Sequence, residues 1–342
     1  MQPAGCTLRE TMGKRTRRLQ GPRKAHIRYE AITTGTIHRY EVAILRFFQF
    51  LRLHDRVYPA TLAELDVEVS EFINHLYQDD SPLYWATYLV CGFKRFYPKC
   101  KRHLDTSSQY LNNWTRAVRR TRALPLPADA CLAMASISLL WGWPRFGLSL
   151  LLGFLGLLRT GEILSIMKKQ VSILGGGSLL VIALPNSKGA KRKGRPEYVR
   201  IHDTEVIRAV ALLLGSLSPD ERLFPGGFRQ FSQLLEATAK AIGIAHPNLT
   251  PYTLRRGGAT WHFSTFLSYD ATQEHGRWHH RTTAKIYIDQ ATAEMSEVAI
   301  PADKQKVLEC AIRVLPALLR DPLQTPRLSP APVPPNPIRP RH

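Results

Sequence analysis

The chain has 342 residues, enough for two domains each with its own core. Its 47 Lys and Arg against 27 Asp and Glu give a net charge of +20 and a pI near 10.1, which favours a polyanionic partner over an acidic or neutral one. The longest apolar run, residues 146–158, has 13 residues where a membrane span needs about 20, so a membrane-embedded class is not expected.

Residues 1–27 are polar and then basic, which fits no secretory signal and reads as a disordered arm. The run KRTRRLQGPRK at 14–24 suits a DNA-grasping arm, a nuclear localisation signal or a solvated tail, three readings the sequence leaves open. Over residues 28–122 apolar positions recur at three- and four-residue intervals in four stretches, around Ile37–Leu51, Leu62–Leu76, Tyr84–Phe96 and Tyr110–Val118. Four helices in about 90 residues make a small α-bundle. Residues 91–124 carry nine Lys and Arg against Asp105 alone. Lys94, Arg95, Lys99, Lys101, Arg102, Arg119, Arg120 and Arg122 are therefore expected to follow a DNA backbone.

Pro125 and Pro127 mark residues 123–128 as a linker. A second domain is expected over 129–302. It opens with helices near 129–142 and 146–158, continues as strands over 171–201 with a turn at Gly175–Gly177, and carries a long basic hairpin between 185 and 196. That hairpin holds Lys188, Lys191, Arg192, Lys193 and Arg195, the last four expected to contact DNA. Helices are expected near 203–216, 227–243, 254–267 and 281–289, followed by a C-terminal helix over 303–320, a candidate for docking onto a neighbouring protomer. Residues 321–342 contain eight prolines and read as a disordered tail. The fold class is mainly α with a small β-sheet.

Five cysteines (Cys6, Cys91, Cys100, Cys131, Cys310) form no C-x-x-C pair and read as reduced thiols. His275, His279 and His280 have no Cys or carboxylate at ligand spacing, so no metal and no cofactor is expected.

Five residues of the second domain point to chemistry on a phosphodiester. Two arginines, Arg159 and Arg255, can clamp its non-bridging oxygens and offset the charge that develops at phosphorus. Lys188 can protonate an alkoxide leaving group, and the Trp278 indole N–H can add one hydrogen bond. Tyr287 can attack as the nucleophile and form a phosphotyrosyl ester.

On these residues the chain resembles the tyrosine recombinase (phage integrase) family, over about residues 30–300. The family pattern is an arginine with an acidic residue three positions on, a hairpin lysine, a His/Lys-x-x-Arg motif, and a His or Trp nine residues before a tyrosine. Here Arg159 precedes Glu162, Lys188 lies on the expected hairpin, and Trp278 precedes Tyr287 by nine. Tyr252 stands three residues before Arg255, where the family has His or Lys, and Arg256 stands where it commonly has His. The resemblance implies a helical core-binding domain and a catalytic domain, with Glu162 supporting Arg159. It also implies strand exchange on double-stranded DNA through a 3′-phosphotyrosyl intermediate without metal or ATP, in a homo-oligomer (a tetramer on paired sites) that belongs to a mobile element. The protein is then expected where the DNA is: nucleus in a eukaryote, nucleoid or cytoplasm in a prokaryote. A type IB topoisomerase-like relaxing enzyme and a DNA-binding relic of the same fold remain alternatives.

Overall fold

The computed structural model describes residues 32–118, 123, 125–245, 249–288 and 300–324. These fall in two compact units, residues 1–120 and 121–342. The arm expected at 1–27, the basic residues Arg119, Arg120 and Arg122, and nearly all of the proline-rich tail lie outside the described residues.

The first unit is helical, as its periodicity predicts: α1 (Thr34–Leu53), α2 (Leu62–Gln78), α3 (Tyr84–Phe96) and α4 (Asp105–Ala117), with a 3-10 turn at Pro98–Arg102. The recurrent apolar positions place Phe47, Leu51, Phe72, Ile73, Leu89 and Phe93 in one core. Phe47 meets Phe72 and Phe93 edge-on, with ring centroids 5.8 and 5.5 Å away. A Thr61–Glu64 capping box starts α2. Asp66, buried on α2, in turn caps α4 by accepting from the backbone N–H groups of Thr106 and Ser107, both at 2.9 Å. Burial pushes the Asp66 carboxyl up, but these bonds and the Ser107 hydroxyl outweigh it and hold the group below the usual carboxylate range.

The second unit begins with α5 (Ala128–Leu140), α6 (Pro144–Leu155) and the single turn α7 (Thr160–Ile163). An antiparallel sheet follows in the order β1 (Val171–Leu174), β2 (Leu179–Leu184), β3 (Glu197–Ile201). Pairing of Leu180 with Ile201 and of Ile182 with Val199 puts these four side chains on the buried face. The connection between β2 and β3 differs from the expected hairpin. It contains a short helix, α8 (Lys188–Lys193), begun by Ser187, whose hydroxyl accepts from the Ala190 N–H at 2.9 Å, and ended by Gly194 at φ +66°. A good N-cap, a run of lysine and arginine, and a left-handed glycine specify one helical turn there.

Then come α9 (Thr204–Gly215), α10 (Phe228–Ala241), α11 (Tyr252–Phe266), α12 (Tyr269–His275), α13 (Arg281–Tyr287) and α14 (Ala302–Arg320). Helix α12 was not expected; its polar sequence YDATQEH has no apolar stripe, and the Ser268 N-cap starts it instead. The C-terminal segment is helical as read, and its apolar stripe packs within its own chain. Ala311, Leu315 and Leu319, spaced by four, are buried in the core of their own unit against α5. Among the described residues, no helix is long and apolar enough to cross a membrane.

Candidate active site

Helix α11 carries the centre of the site, and two glycines let it come close enough to do so. A Cβ on Gly257 would stand 2.0 Å from the Leu126 carbonyl oxygen, and one on Gly258 2.1 Å from that of Phe154. With no side chain at either position, α11 lies against α6 and the 125–127 segment, and Arg255 is driven into the interior. Arg255 is wholly buried. One guanidinium nitrogen donates to the Leu157 carbonyl and the other to that of Gly276 at 2.7 Å. Its Nε has no hydrogen-bond partner.

Aromatic rings cover Arg255. The guanidinium carbon lies 4.7 Å from the centre of the Trp278 ring and 5.5 Å from that of Tyr287, and the two rings are 4.7 Å apart. Trp278 is buried and its indole N–H has no hydrogen-bond partner. Tyr287 is the last residue of α13, and its carbonyl accepts from the Thr260 hydroxyl at 3.3 Å. Its own hydroxyl is hydrogen-bonded to that of Tyr252, at the start of α11.

Arg159 enters from the turn before α7. Glu162, three residues on and buried, accepts from Arg159 Nη1 at 2.6 Å and from the Arg159 backbone N–H at 2.9 Å. The second Glu162 oxygen accepts from Arg277 at 2.8 Å. Two guanidinium groups thus bond one carboxylate, whose charge also acts on Arg255. Burial, then the charges of Arg159 and Arg277, lower the Arg255 pKa to about 10, still charged at neutral pH. Burial and Arg159 likewise lower that of Arg277. This excess of positive charge in a dry pocket is what a phosphate would neutralise.

Arg159, Glu162, Tyr252, Arg255, Trp278 and Tyr287 are thus in one cluster. Lys188 is not bonded to it. It is the exposed first residue of α8, and its side chain makes no hydrogen bond or ion pair among the described residues. Lys193 is held by Glu197 at 3.1 Å, and Lys191, Arg192 and Arg195 are exposed. Glu197 is also bonded by the Ser187 hydroxyl at 2.8 Å. Burial raises its pKa, but Ser187, Lys193 and then the charge of Arg277 bring it below the ordinary value. In the first unit Lys94 is half-buried and donates to Ser108 at 2.8 Å, with Arg95 beside it. Lys99, Lys101 and Arg102 project from the 98–102 turn. Arg256, at the second departure from the family pattern, is buried and donates to the Ala123 carbonyl. Arg277 was missed from the sequence. The signal available was a basic residue directly before Trp278, indistinguishable there from the neighbouring Arg281.

No protein-family model and no curated protein sequence matches the chain. Solved structures do. A lambda integrase (75-356) dimer bound to a COC' core site aligns at TM-score 0.53 and 15% identity, over 83% of this chain and 96% of that one. The Tn1549 transposon integrase in complex with circular intermediate DNA aligns at TM-score 0.52 and 14% identity, over 84% and 98%. The XerH site-specific recombinase on a palindromic difH substrate aligns at 0.51 and 16%, over 78% of each chain. These likenesses extend through both units. The chain has the fold of the tyrosine recombinases.

Proposed function

We propose that the protein is a site-specific DNA recombinase that cuts and rejoins strands through a 3′-phosphotyrosyl intermediate. The observation that carries this reading is the convergence of Tyr287, Trp278, Arg255 and Arg159, residues spread over more than a hundred positions, on one buried and positively charged cluster. The DNA-bound state of the structural neighbours and the basic balance of this chain support duplex DNA as the partner. A tetramer on paired sites fits the proposed exchange.

In the proposed reaction the Tyr287 oxygen attacks phosphorus, its proton passing to water, and the bond from phosphorus to the 5′ oxygen breaks. Lys188 donates a proton to that leaving oxygen, so that a 5′-hydroxyl is released. Arg159 and Arg255 hold the non-bridging oxygens and offset the charge that builds there. Tyr252 orients Tyr287 without taking its proton, because burial and the bond to Tyr287 push the Tyr252 phenol up. Reversal with another strand's 5′-hydroxyl rejoins the DNA. None of these steps calls on a metal or a nucleotide.

The test is covalent trapping. The full chain is incubated with a pool of duplexes that carry a randomised core and a nick, so that the short cleaved fragment is lost and the adduct accumulates. A protein–DNA band that survives denaturation with the wild type and vanishes with Tyr287→Phe supports the reading. DNA binding without any such band leaves a binding protein of this fold.

A further inference from the structure

Arg277 is the third guanidinium of the cluster, and it touches the supports of both arginines assigned to the phosphate. Its Nη2 donates to Glu162 Oε2 at 2.8 Å and to the Leu157 carbonyl at 3.3 Å. The other Glu162 oxygen holds Arg159, and the same Leu157 carbonyl accepts from Arg255. Arg277 therefore shares one acceptor with each of them.

The arrangement is locally unfavourable in two ways. The Arg277 backbone is left-handed, at φ +59°, a region L side chains seldom adopt. Its side chain is only 6% exposed, yet Nε and Nη1 have no hydrogen-bond partner. A glycine would take this backbone freely and leave no buried N–H unpaired. The left-handed backbone and the unpaired buried donors fall together on one residue, and it is this residue that joins the supports of Arg159 and Arg255.

We infer that Arg277 is a positioning residue, fixing the spacing and orientation of Arg159 and Arg255 through Glu162 and the Leu157 carbonyl. Its Nη2 is taken up by Glu162 and by the Leu157 carbonyl, so the role assigned to it runs through these neighbours. The inference rests on the recombinase reading.

The experiment compares single-turnover adduct formation by the full chain on a nicked duplex recovered from the trapping pool. The variants are Arg277→Gly, Arg277→Lys, Arg159→Ala and the double variant Arg159→Ala/Arg277→Gly. Glycine suits the left-handed backbone, and its circular dichroism and melting temperature report whether the fold is kept. Misplacing a clamp by about 1 Å slows a reaction by roughly 10²-fold, the loss expected for Arg277→Gly. Lysine should not restore the rate, because a point charge cannot hold two acceptors in a fork. The double variant should be no slower than Arg159→Ala alone, since both changes remove one function. With a neutral methylphosphonate at the scissile position there is less charge to offset, and Arg277→Gly and Arg159→Ala should both recover relative to the wild type.

A wild-type rate for Arg277→Gly, rescue by lysine, additive losses, or a defect that methylphosphonate leaves unchanged would each reduce Arg277 to a structural residue. If the glycine variant does not fold, a wild-type rate from Arg277→Lys overturns the inference by itself. A wild type that forms no adduct on any nicked duplex overturns the recombinase reading instead, and this inference with it.

Discussion

The hydroxyl of Tyr252 is hydrogen-bonded to the hydroxyl of Tyr287, 35 residues further along the chain. Tyr252, one of the two residues that depart from the family pattern, is therefore the direct partner of the proposed nucleophile. The Tyr287 ring lies over the Arg255 guanidinium, which is wholly buried.

Tyr287→Phe should abolish covalent attachment and leave DNA affinity nearly unchanged. The substitution removes one hydroxyl, whose partner is Tyr252, while affinity rests on phosphate contacts made elsewhere. Denaturing gels and equilibrium binding on the same duplex check both halves. A surviving covalent band from the Phe variant would remove Tyr287 from its role.

Lys188→Ala should slow cleavage of ordinary DNA by roughly 10²–10⁴-fold through loss of the general acid. Replacing the 5′-bridging oxygen with sulfur should restore the rate, because a thiolate leaves without protonation. Lys193 is already paired with Glu197, which leaves Lys188 and Lys191 as the free amines of α8. Sulfur rescue that follows Lys191→Ala and not Lys188→Ala would reassign the acid.

The four helices of the first unit were legible because large apolar residues recur there at three- and four-residue spacing, and the strands because short apolar runs flank the Gly175–Gly177 turn. Of the cluster, Arg159, Arg255, Trp278 and Tyr287 were legible through their order and spacing. What the sequence hid was tertiary or conformational. The Tyr252–Tyr287 bond joins residues on different helices. The role of Arg277 depends on a left-handed backbone and a shared carbonyl, neither of which leaves a pattern in sequence. The helical turn at Lys188 was written locally, in Ser187 and Gly194, but the surrounding basic run reads equally well as an open loop.

Affinity for DNA should fall steeply with salt, by about 0.9 log unit per neutralised phosphate per log unit of salt. Lys99, Lys101 and Arg102 project from one exposed turn, and several phosphate contacts are expected from this group and the α8 lysines together. Titrations between 50 and 200 mM salt, with the triple alanine variant at these three positions reducing the slope, check the assignment. A salt-independent affinity would contradict it.

The second unit should lose stability in mild acid. His262 and His275 stack with ring centroids 4.6 Å apart, and burial together with the His275 charge lowers the His262 pKa to about 4. Burial lowers His275 too, opposed by its bond to the Leu155 carbonyl and reinforced by the charges of Arg277, His202 and Arg255. An unfolded histidine takes up its proton near pH 6.5. Between that pH and about 4 the unfolded chain binds more protons than the folded one, so stability falls as pH falls and is steady above neutrality. Denaturant melts at pH 7.5 and 5 should show the loss, and His262→Gln should flatten the slope. Equal slopes in both proteins would show that acid acts elsewhere.

The Tyr252–Tyr287 pair gives the sharpest test of how this site departs from the family pattern. A histidine in place of Tyr252 could accept the nucleophile's proton near neutral pH, whereas the Tyr252 phenol, its pKa raised by burial and by the bond to Tyr287, cannot. Tyr252 is left with orienting the attacking oxygen. Tyr252→Phe should then slow adduct formation by the worth of one hydrogen bond to a group gaining charge, about 1.5–3 kcal/mol or roughly 10–10²-fold. It should do so with little change in melting temperature, because Tyr252 is 37% exposed and its ring is retained. Tyr252→His should react as fast as the wild type or faster, with a rate that falls below pH 6.5 as the imidazole is protonated. Single-turnover rates of the three proteins on one nicked duplex, across pH 5.5–8.5, decide the matter. A wild-type rate from Tyr252→Phe together with an inactive Tyr252→His would make the hydroxyl pair a packing contact, and the orienting group for Tyr287 would have to be sought elsewhere in the cluster.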